Sequence, residues 1–246
     1  MRLSWDKAGE RLYETGVDRG VFYPFTTGGK YGSGVAWNGL TAVNETPSGA
    51  EPTALWANNK KYLTLMSAEE LGLTIEAYTY PDEFEACDGS AELAEGVTIG
   101  QQDREHFGFC YRSLIGNDDV GTKHGYKIHL VYDCLASPTD KDRSTVNDSP
   151  DISPFSWDID TTPVEVENRQ STSKLTFSSS DLKKAGMANV LRGIEDALYG
   201  TSKTSAYLPT VSQVMNLIEF HSTLRDSNGN AITDSSGNKM LSKVYE

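Results

Sequence analysis

At 246 residues the chain is long enough to bury a sizeable core, as one large all-β domain or two small ones. A formal net charge of −13 opposes any surface built to grip phosphates, and no run of roughly 18 apolar residues marks a membrane span. Three cysteines, an odd count without a CxxC pair, argue against a disulfide framework or a zinc ribbon, so Cys87, Cys110 and Cys134 are expected to be reduced, partly buried thiols.

The opening MRLSWDKAGERLY contains no apolar run, so no secretory signal is expected and the chain should be made in a cytoplasm. The first breaker cluster, residues 26–34, contains Gly28, Lys30, Tyr31 and Gly34. It lacks the GxxxxGK[ST] order of a phosphate loop and precedes a strand-like pattern, so it is expected to be a surface loop. Residues 61–66 have strand periodicity. The clearest strand is 71–80, where Leu71, Leu73, Ile75 and Ala77 alternate with Gly72, Thr74, Glu76 and Tyr78. Tyr80-Pro81-Asp82 should stop it, because proline donates nothing to a ladder and aspartate favours a turn. If the leucine and isoleucine row is buried, Thr74, Glu76 and Tyr78 face away from the core.

Residues 116–121 should form a second loop, followed by a strand over 126–135. Regular alternation there puts Tyr126, Ile128, Leu130, Tyr132 and Cys134 on one face and Lys127, His129 and Asp133 on the other, as in a half-buried antiparallel sheet. The polar run 137–150, with Asp140, Lys141, Arg143 and Asn147, is expected to be a surface loop. Further strands are expected over 155–160, 164–167 and 174–177. Met187, Val190, Leu191, Ile194 and Leu198 recur at helical spacing and end on Gly200, so this helix should pack on a sheet face. A shorter helix should follow, with Thr210 as N-cap and Val211, Val214, Met215 and Ile218 as its buried row. Residues 226–246 contain two polar turns and are expected to form a C-terminal extension, hairpin or tail, beyond a single domain over 1–225.

No constellation carries an evident chemistry. His129 and Cys134 fall on opposite faces of a regular strand, so they should not share an ion with His106, His124, His221 or Cys110. Asp226-Ser-Asn-Gly-Asn230 opens like a calcium loop, but Ala231 and Gly237 stand where that loop needs its glycine and its bidentate glutamate. No GxSxG elbow occurs, and Glu69-Glu70 and Asp118-Asp119 are adjacent pairs whose side chains diverge. The chain is therefore expected not to be an enzyme and to need no cofactor or metal.

Several blocks in order resemble one family: residues 35–43 (VAWNGLTAV), 45–51 (ETPSGAE), 61–65 (KYLTL), 71–89 (LGLTIEAYTYPDEFEACDG) and 125–132 (GYKIHLVY). They are similar to the major tail proteins, or tail tube proteins, of long-tailed, non-contractile bacteriophages of Gram-positive hosts. The likeness covers roughly 18–220 and is densest over 35–89. It implies a mainly β fold, an antiparallel sandwich or small barrel carrying one packed helix. It also implies hexameric rings of the chain stacked into a hollow tube in the virion, with a tape measure, a tail terminator and distal tail or baseplate proteins as partners. DNA would pass transiently and without specific binding, and no membrane is involved. On that reading Thr74, Glu76 and Tyr78 are candidate lumen residues, with Asp158, Asp160, Glu165 and Glu167 as an equally acidic alternative. The loops holding Gly28, Lys30, Tyr31, Gly34, Asp140, Lys141, Arg143 and Asn147, with the two termini, are candidate subunit contacts. The alternative is a carbohydrate-binding β-sandwich of a fibre or surface protein, stacking sugars on Trp37, Trp56, Trp157 or the twelve tyrosines.

Overall fold

The computed structural model describes residues 3–26, 29–143, 145, 152–222 and 230–233. Within them the strands are β1 (Leu12–Thr26), β2 (Lys30–Tyr31), β3 (Val35–Trp37), β4 (Leu40–Gly49), β5 (Pro52–Ala57), β6 (Lys60–Met66), β7 (Glu69–Ala77), β8 (Ala91–Ala94), β9 (Val97–Ile99), β10 (Phe107–Asn117), β11 (Gly121–Ala136), β12 (Phe155–Thr161) and β13 (Lys174–Ser178). The helices are α1 (Ser179–Lys184), α2 (Ala188–Tyr199) and α3 (Val211–Ser222), and a short 3-10 turn covers Asp82–Phe84. The protein is mainly β and antiparallel, as the alternation predicts.

The main sheet runs β2-β1-β10-β11-β12-β7-β4, with β13 also on β11 and β3 on β1. Its long strand β11 pairs with β13 through Lys127–Val131 and with β12 through Cys134–Ala136, so one strand passes from one layer into the other. The bend is at Asp133, whose φ of 48° leaves the extended region and whose N–H donates to Tyr31 Oη at 2.9 Å. Here two residues of β11 oppose one of β10, a bulge that reverses the later side chains. Cys134 therefore faces the same core as Val131, against the expectation that it shares a face with Ile128 and Leu130.

Two cores result. Between the layers, Phe22, Trp37, Phe84, Phe107, Phe109 and Trp157 pack with Leu73, Ile75 and Ile159. On the other face of β1, β10 and β11, Val21, Tyr23, Ile128 and Leu130 meet Val190, Leu191, Ile194 and Leu198 of α2 and Val211 and Val214 of α3. Those three strands are thus buried on both faces. Tyr23 Oη donates to the Leu198 carbonyl at 2.7 Å, fixing α2 on the sheet. Thr210 and Gln213 cap α3 reciprocally, each side chain bonding the other's backbone N–H. Met215, expected in the buried row of α3, is exposed instead, because only Val211, Val214 and Ile218 turn toward the core. Residues 164–167 form no strand: Val164 makes a single bridge to Thr172 within the connection from β12 to β13.

Beyond Gly49 and Glu69 the β4–β7 ribbon continues as the β5–β6 hairpin, an arm outside the main sheet. Gly49 at its base has a φ of 77°, and a Cβ there would lie 2.3 Å from the Ala68 carbonyl oxygen, so only glycine makes this kink.

Candidate functional surfaces

The first surface is the outer face of β4, β7 and β12. Directly paired residues share a face, so Asp158–Thr74–Asn44 and Ser156–Glu76–Ala42 form two rows, with Asp160 and Thr46 flanking Gly72 in a third. Leu73 and Ile75 are buried on the opposite side with Trp157 and Ile159, and Leu71 packs against that core. Thr74 and Glu76 accordingly point away from the core, as their alternation predicts. Tyr78 lies just past the end of β7 and is exposed. The two acidic groups treated separately in the sequence meet here in part: Asp158 and Asp160 stand beside Glu76 and Thr74, while Glu165 and Glu167 fall in the β12–β13 connection. Thr74 Oγ1 donates to Asp158 at 2.9 Å and Ser137 Oγ to Asp160 at 3.1 Å. Among the described residues no ion pair neutralises Glu76, Asp158 or Asp160. The face is polar and negatively charged.

The second surface is the arm. Along β5 and β6 every residue but Ala54 is exposed, including Trp56 at 69%, Tyr62 at 72% and Met66 at 69%. Leu55 opposes Leu63 and Thr53 opposes Leu65, an apolar row with no second layer beneath it among the described residues. A two-stranded ribbon without a packed face is marginal in water by itself. Sequence periodicity finds β6 but says nothing of what its rows meet, so the arm escapes a reading that looks for contacts in polar loops. Its one available signal is a strand pattern rich in large apolar residues on both faces.

Of the predicted contact loops, the structure ties several residues to the body. Tyr31 packs edge-on against Phe25 at 5.1 Å as well as holding Asp133, and burial pushes its hydroxyl pKa up. Gly34 donates its N–H to the Ala206 carbonyl at 2.9 Å, and a Cβ there would come within 2.6 Å of the Tyr23 ring. Lys141 pairs with Asp88 and sits over Tyr80, and Thr139 donates to the Ser156 carbonyl at 2.5 Å. Lys30, Asp140 and Arg143 are exposed. Gly28, Asn147, Asp226 and most of residues 226–246 lie outside the described residues.

Where β1 and β4 splay apart, a cleft of about 740 Å³ opens over a charged network. Glu14 pairs with Lys127 at 2.5 Å and accepts from Ser113 Oγ at 2.5 Å; Glu45 pairs with Lys174 and accepts from Tyr111 Oη. His129 stacks on Tyr111 at 4.6 Å, with Nε2 2.8 Å from Ser113 Oγ and Nδ1 3.2 Å from Thr176 Oγ1. This serine–histidine contact was not legible in the sequence, since the residues are sixteen apart on different strands. Burial, with Lys174 adding to it, holds the His129 pKa down to about 4, so the ring is neutral at pH 7. Burial raises both glutamates, yet Lys127 and Ser113 hold Glu14, and Lys174 and Tyr111 hold Glu45, below the usual carboxylate range. Each charge has an opposite partner, so the network braces the open end of the sandwich.

Burial pushes the Cys87 thiol up to about 12 and raises Cys110 and Cys134 as well, leaving three unreactive thiols. Among the described residues no group of three or more His, Cys, Asp or Glu converges on a metal position, and no helix is long and apolar enough to cross a membrane. Of the three tryptophans that suggested sugar stacking, Trp37 and Trp157 are in the core and Trp56 alone is exposed. No family model matches the chain, and no curated protein matches it.

Proposed function

We propose that the chain is a structural subunit that assembles with copies of itself into stacked rings, forming the tube of a non-contractile phage tail through which DNA is delivered. The observation that carries this reading is the apolar arm, which a lone domain has no reason to keep solvated. Contacts between unlike surfaces suit such an element, because they close around a ring and propagate along its axis. The acidic face of β4, β7 and β12 supports the reading from the other side: among the described residues no ion pair neutralises its carboxylates, and it would repel a phosphate backbone, so passing DNA finds no tight partner. The ordered blocks that resemble tail tube proteins supply the ring and the tube. Negative-stain electron microscopy of the purified chain over rising concentration tests this directly. Rings and hollow tubes are the expected result, and isolated particles of single-domain size in every buffer overturn it.

A further inference from the structure

The arm joins β7 at its Glu69 end, whereas residues 78–106 leave the same strand at its Ala77 end, so the two segments occupy opposite ends of one strand. Their charges are opposite too. Between Pro52 and Met66 the only charged residues are Lys60 and Lys61 at the exposed tip, in a chain that is otherwise strongly acidic. The far end carries the exposed carboxylates Asp82, Glu83, Glu92, Glu95, Asp103 and Glu105, none of them in an ion pair among the described residues. Arg104 is turned inward to Asp88 and the Ala136 carbonyl, so it does not offset them. This end also displays apolar surface, Leu93, Val97 and Ile99 of the β8–β9 hairpin, which among the described residues pairs only with itself.

We propose that the arm of one copy docks on the acidic β8–β9 end of a second copy, Lys60 and Lys61 meeting its carboxylates and the Leu55, Leu63 and Leu65 row covering its exposed apolar residues. The inference rests on the assembly reading and names the surface that receives the arm. Six extended residues in β5 and seven in β6 give a reach of about 20 Å, enough to cross onto a neighbouring domain. A copy bound this way still presents one free arm and one free acidic end, so the joint adds copies indefinitely. Opposite charge sets its polarity, since arm against arm and acidic end against acidic end both repel.

A charge swap tests it. Lys60→Glu with Lys61→Glu is expected to raise the concentration needed for polymerisation roughly tenfold or more, while the melting of the unassembled chain stays unchanged because both side chains are exposed. Adding Glu92→Lys, Glu95→Lys and Asp103→Lys to that variant should restore assembly. A second readout uses the burial of all three native thiols: Asn59→Cys combined with Glu95→Cys should give a ladder of disulfide-linked oligomers in otherwise native tubes. Undiminished polymerisation of the arm variant overturns the proposal, and so does failure of the charge swap together with absence of the ladder. If the swap alone fails, a ladder still supports the joint. An unaltered chain that never polymerises rejects the assembly reading itself, a result separate from both.

Discussion

His129 sits where the inner face of the sandwich turns from aromatic to charged, stacked on Tyr111 and bonded to Ser113 and Thr176. Its folded pKa of about 4 is below the ordinary 6.5, so the unfolded chain takes up a proton before the folded one does. Its stabilising effect is complete above pH 6.5 and is lost as pH falls toward 4. Below about 4.5 the lowered glutamates Glu14 and Glu45 act in the same direction, since their protonation breaks the pairs with Lys127 and Lys174. Stability from urea unfolding should therefore drop by about 2 kcal/mol between pH 7 and 4.5, with His129→Gln flattening most of that slope. An unchanged slope in the variant would remove His129 as its source. Gly34 offers a second test: Gly34→Val drives a side chain into Tyr23 and Val21, and a loss of about 2 kcal/mol or more is expected in the same assay.

Among the elements, α2 contributes most to the second core through Val190, Leu191, Ile194 and Leu198. Leu191→Asp or Ile194→Asp buries an unpaired carboxylate, at a cost of several kcal/mol, so soluble expression should be lost. Normal folding of either variant would contradict the packing. This helix was legible because a single stripe faces a single layer; β7 and β12 were legible because each has one buried and one exposed face. By contrast β1 and β10 escaped notice, since Phe107–Tyr111 and Val21–Tyr23 are buried on both sides and the period of two disappears. Residue spacing also gave the outward row Thr74 and Glu76, but not its union with Asp158 and Asp160, which only strand pairing supplies. The turn of Cys134 onto the inner face follows from one left-handed residue, Asp133, that no periodicity announces. For the acidic face, Glu76→Lys with Asp158→Lys should leave assembly intact but slow genome ejection, most at low ionic strength. Unimpaired ejection would take this face out of the channel, and failed assembly would make it a subunit contact.

At the scale of the whole molecule, a layered domain with an apolar arm at one end and an acidic, partly apolar hairpin at the other is polar along one strand direction. On the proposed reading such a body would bury its exposed rows by joining like to unlike, and repetition of that joint would give a long assembly rather than a closed pair. Replacing residues 52–66 by a short Gly-rich turn removes the arm without touching either core, so the variant should remain folded and small. Sedimentation velocity of the unaltered chain across a wide concentration range tests the central claim most directly. The account predicts a sharp passage from a 27.0 kDa species to very large polymers above a threshold concentration. A single 27.0 kDa species at every concentration and salt would contradict it.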